Sequence, residues 1–132
     1  MVKRTLRIGR WLTYFLFVTD RYDKEVILSF LDTFGASEKV MGRADKIMSD
    51  GFLNRAFTFA NPDMHRALVV IGPTSSGAEF LDSFTHEVRH LADEIAKSIG
   101  VDLDAEEPAY MTGDSVRDLA DVVCRLGCTH CS

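Results

Sequence analysis

"SGAEFLDSFTHEVRHLADEIAKSIG", Ser76 to Gly100, decides how the rest of the chain is read. Phe80, Phe84, Val88, Leu91 and Ile95 recur at three- and four-residue steps, the period of one helix face. Ser75 or Ser76 supplies an N-cap and Gly100 a stop, so the stretch predicts one long helix packed against a core. His86 and His90 stand four apart on it, hence on one face and about a turn from each other, with Glu87 between them. The apolar positions around them predict that the histidine face lies inside the protein or at the floor of a cleft.

Upstream, "FLNRAFTFA" (residues 52–60) and "RALVVIG" (residues 66–72) are strand-like runs joined by "NPDMH", whose Asn-Pro-Asp is turn chemistry. They predict an antiparallel hairpin. Earlier still, "DRYDKEVILSFLDTFG" places Val26, Ile27, Phe30, Leu31 and Phe34 at helical spacing with Gly35 as a stop. Ser37 then caps a second helix carrying Val40, Met41, Ala44, Ile47 and Met48, which Gly51 ends. Residues 5–19 are rich in β-branched and aromatic types and predict a strand. Downstream, a final helix is expected from about Asp104 to Leu126. No repeat or Pro/Gly-rich linker divides the chain. The expected architecture is therefore a single α+β domain over residues 1–132, with one small mixed or antiparallel sheet.

Composition narrows the function. The 132 residues are 46% hydrophobic and 27% charged, as in an ordinary globular domain, and the net charge is −5. That balance argues against bulk phosphate neutralisation, so no nucleic-acid partner is expected, although Lys3, Arg4, Arg7 and Arg10 cluster at the N-terminus. The apolar run "WLTYFLFV" that follows them superficially resembles a signal peptide. It lacks a small-residue cleavage pattern and falls far short of the ~20 residues of a membrane span. It reads as a buried strand, in a cytoplasmic protein with no membrane association. Cys124, Cys128 and Cys131 lie within the last nine residues. An odd number at one end is not a disulfide framework and suits reduced thiols.

The helical His-Glu-x-x-His spacing has a definite chemistry. Two imidazoles at i and i+4 reach a single Zn²⁺ at ~2.0–2.1 Å each. Glu87, rotated about 100° from His86, can reach a water on the metal as a general base without competing as a ligand. A hydrolytic zinc takes three protein ligands and an open position, so a third must come from elsewhere. From His90 to Gly100 the helix carries the chain ~15 Å away, and the extended "VDLDA" returns it by ~16 Å, as Glu106 and Glu107 appear. With Asp104 as N-cap, Glu107 completes a capping box, with Pro108 in the first turn. Glu106 is then free to bind metal and is the favoured third ligand, with Glu107 the competitor.

"HEVRH" followed by "DLDAEEPAYMTG" resembles the short gluzincin-type zincin-like proteins of phages and mobile elements. Their pattern is HExxH, a glutamate about sixteen residues later, then Ala-Tyr. The resemblance covers Phe84 to Gly113, and the rest of the chain only by its order of strands and helices. It implies a minimal zincin-like fold in which the edge strand of a small sheet borders a cleft over the HExxH helix. It carries over His86, His90 and Glu106 as ligands and Glu87 as catalytic base, and it implies a peptidase-like site. Tyr110, four residues after Glu106, either donates to the oxyanion of a tetrahedral intermediate or is a half-buried aromatic between helices. "CRLGCTHCS" offers Cys124, Cys128, His130 and Cys131, either frayed terminal thiols or a second zinc site. The expected function is a zinc-dependent hydrolase, a metallopeptidase acting on a peptide or protein. The alternative is a non-catalytic zinc-binding interaction module of the same shape.

Overall fold

The structure, a computed structural model, describes residues 1–17, 19, 23–100, 113–115 and 117–127. Its elements are β1 (Val2–Ile8), β2 (Trp11–Phe17), α1 (Lys24–Thr33), α2 (Glu38–Ser49), β3 (Ala56–Asn61), β4 (Arg66–Ile71), α3 (Gly77–Ser98) and α4 (Ala120–Gly127). The four strands form one mixed sheet in the order β1-β2-β4-β3. β1 and β2 are antiparallel, β2 and β4 parallel, and β3 and β4 antiparallel. The class is α+β, as expected.

Alternation along the central strands builds two cores. On β2, Trp11, Phe15 and Phe17 face one side and Leu16 the other. On β4, Ala67, Val69 and Ile71 oppose Leu68 and Val70. All of these are buried, which is why "ALVVI" is a continuous apolar run and not an alternating one. α1 and α2 cover one face through Ile27, Leu31, Ala44 and Met48. α3 covers the other through Phe80, Phe84, Val88, Leu91 and Ile95, with Leu119, Val122 and Val123 completing the layer.

The expected caps are present. Ser37 accepts a hydrogen bond from the Val40 N–H and Ser76 from the Glu79 N–H. Gly35, Gly51 and Gly100 follow α1, α2 and α3 with φ of 80°, 93° and 78°, the left-handed region that glycine enters at little cost. The expected hairpin over residues 52–72 forms as β3 and β4, with Ala56 opposite Ile71 and Asn61 opposite Arg66.

One expectation changes. The single strand foreseen over residues 5–19 is two strands, which turn at Gly9-Arg10 so that Ile8 faces Trp11. Gly9 has φ 58°, and a two-residue loop with glycine first suits the twist of a tight hairpin. The isolated Gly9 was the punctuation mark, outweighed by the β-rich residues around it.

β1 and β3 are the two edge strands. β1 carries Lys3, Arg4 and Arg7, whereas Ala56–Asn61 of β3 has no charged residue. Among the described residues no helix is long and apolar enough to cross a membrane.

Candidate metal centre

The 22-residue helix α3 packs on β3 and β4 and carries the HEVRH segment past the uncharged sheet edge. Its position starts at Gly72, where the chain leaves β4. A methyl group at Gly72 would run into the backbone carbonyl oxygen of Phe52. The close passage needs glycine, and Ser76 then begins the helix four residues later.

Helical arithmetic sorts the motif. His86 follows the buried Phe84 by two residues, and His90 follows the buried Val88 by two. At 100° per residue each histidine points about 200° from its core neighbour, outward. Both are exposed, with 55% of the His90 side chain open to solvent. Of the two expected settings, interior or cleft floor, the interior one is thereby corrected: the apolar stripe buries the opposite side of the helix. Glu87, three residues after Phe84, lies within about 60° of the core and is 6% exposed.

The three side chains nonetheless converge. The His86 and His90 ring centroids are 4.4 Å apart, and possible ligand atoms of His86, Glu87 and His90 all lie within 4.8 Å of one another. Two nitrogens bound to one tetrahedral zinc stand about 3.3 Å apart, a spacing that exposed side chains reach by small rotations. This group could hold a metal ion. Imidazole and carboxylate donors suit zinc among other divalent ions.

The Glu87 carboxylate has a specific partner. The Thr58 hydroxyl, on β3, donates to Glu87 Oε1 at 3.0 Å, and the Glu87 backbone carbonyl is a second acceptor at 3.3 Å. The same Oε1 lies 3.8 Å from His90 Nδ1, too long for a hydrogen bond. A groove of about 460 Å³ runs beside this contact, lined by Thr58, Phe59, Ala60, His90, Asp93, Glu94 and Lys97. Arg89 donates to Asp93 at 3.0 Å, an ion pair one turn along the same helix.

Glu106, Glu107 and Tyr110 lie outside the described residues, as do Cys128, His130 and Cys131. Cys124 is an exposed free thiol. Thr58 is the site residue that motif reading missed. Its signal was weak but present: on the face Ala56-Thr58-Ala60 it is the one hydroxyl between two alanines, beside a helix that buries a glutamate. No family model, curated protein or solved structure matches this chain.

Proposed function

We propose that this chain is a zinc-dependent hydrolase with a metallopeptidase-type site. The observation that carries the reading is the buried Glu87 carboxylate, anchored to an edge strand and flanked by two outward imidazoles on one turn of helix. His86 and His90 would hold the metal, with Glu106 as the third ligand brought in by the chain beyond Gly100. Zinc held there would supply Lewis acidity and lower the pKa of water at the site towards ~7.

The remaining roles fall to the chain's own groups. Glu87 takes up the proton lost by water as it adds to the scissile carbonyl, and returns it to the leaving nitrogen as the C–N bond breaks. β3 aligns an extended peptide along its uncharged outer edge, where backbone pairing is unobstructed by side-chain charge. The groove beside His90 takes side chains of that peptide, and Tyr110, outside the described residues, would be the donor to the developing oxyanion.

A second reading, a zinc-binding interaction module, draws on the exposure of both histidines, which a partner protein could share. One set of measurements separates the two. Metal content of the purified chain is expected to be about one zinc for wild type and Glu87→Gln, and to be lost in His86→Ala. Hydrolysis of an unstructured polypeptide such as casein is expected to fall on the order of 10²-fold or more in Glu87→Gln with zinc retained. Wild-type protein that binds no zinc rejects both readings. Zinc binding without any hydrolysis that depends on Glu87 selects the module.

A further inference from the structure

A carboxylate this close to two metal-binding imidazoles has two possible fates. It can accept protons, or it can swing onto the ion and become a ligand. Helix rotation alone does not decide between them, because Glu87, His86 and His90 present ligand atoms within 4.8 Å of one another. What distinguishes Glu87 is the hydrogen bond its Oε1 accepts from Thr58 at 3.0 Å.

We propose that Thr58 is a positioning residue that holds the Glu87 carboxylate off the metal and so keeps it a base instead of a ligand. The inference rests on the metal-centre reading given above. Thr58 belongs to β3, a strand held by its pairing with β4, whereas Glu87 belongs to α3, so the tether joins the glutamate to a different element from the one that carries the histidines. A hydroxyl donating to an ionised oxygen makes a charge-assisted bond, stronger than a neutral one. The hydroxyl has one hydrogen, and its two acceptors are both atoms of Glu87, the nearer being the carboxylate. Given to the nearer, charged acceptor, that hydrogen pins the carboxylate to the strand. Ala56 and Ala60, its neighbours on the same face, could not do so. Outer partners of metal sites commonly change metal affinity by 10–100-fold when removed, usually by weakening it. Here the sign reverses, because release of Glu87 adds a donor to the ion.

The test is a titration of the full-length, metal-free protein with Zn²⁺ alone against a competing chelator. Thr58→Val, nearly isosteric but without the donor, should bind zinc roughly tenfold tighter than wild type, and Thr58→Ser should match wild type. Adding Glu87→Gln to Thr58→Val should abolish the gain, since a neutral amide is a poorer ligand. Equal affinity of wild type and Thr58→Val, or a gain that survives Glu87→Gln, overturns the proposal while leaving the metal centre standing. Zinc binding by neither protein removes the metal centre itself and the proposal with it. Should Thr58→Val fail to fold by circular dichroism, Glu87→Gln alone decides. With Thr58 in place, its affinity should stay within about threefold of wild type, and a tenfold loss would mean that Glu87 is already a ligand.

Discussion

Glu87 and the two histidines share five residues of one helix yet differ in what they owe to the fold. Phe84 sits 1% exposed among Phe15, Phe17 and Phe80, so Phe84→Ala should cost about 3–5 kcal/mol in urea unfolding. His86→Ala and His90→Ala, measured with a chelator present, should each stay within about 0.5 kcal/mol of wild type. A loss of several kcal/mol at either histidine would place it in the core and contradict its exposure. The motif itself was legible in the sequence, because i,i+4 spacing is a helix property and the apolar stripe announces the helix. The outward direction of the imidazoles was equally available from the two-residue offset to Phe84 and Val88. Thr58 was legible only as a hydroxyl between two alanines; its bond to Glu87 was not, since that partner is 29 residues away and only the tertiary fold brings β3 beside α3.

At the level of elements, local signals carried furthest where a backbone hydrogen bond or a positive φ demanded a particular residue. Ser37 and Ser76 cap, and Gly35, Gly51 and Gly100 stop, as their chemistry requires. Ser76→Ala should therefore cost about 1 kcal/mol, read as a shift of the denaturation midpoint with unchanged slope. The β1–β2 turn went unread because a single glycine had to outweigh a long β-rich run, and the parallel pairing of β2 with β4 left no local trace. Between elements, Arg4 of β1 donates to Asp121 of α4 at 3.1 Å. That bond holds the Asp121 carboxyl below its ordinary value of 3.8. A depressed carboxyl stabilises the fold fully above its unfolded value and loses that contribution as the pH falls through the folded one. Asp121→Asn should thus lower the melting temperature slightly near pH 6, and leave a shallower decline than wild type as the pH drops below about 4. Parallel acid limbs in the two proteins would deny the pair any role.

For the whole molecule, the two cores lie on opposite faces of one sheet and share its central strands, so neither can melt alone. Trp11, the single tryptophan, is 2% exposed in the core beneath α3 and reports on that side only. Its fluorescence change and the loss of far-UV dichroism, to which α1 and α2 contribute, should follow one transition in denaturant. Separated midpoints would mean that the two layers unfold independently. The unequal edges of the sheet have a further consequence for assembly. β1 meets any incoming strand with three cationic side chains, and β3 meets it with none. In polymer terms the described sheet would be monofunctional, with extension favoured in one direction. Two copies joined through β3 would be related by a twofold axis and would present only charged ends, so growth terminates at the pair. A strand bound at β3 caps the sheet, and with it the route to fibres.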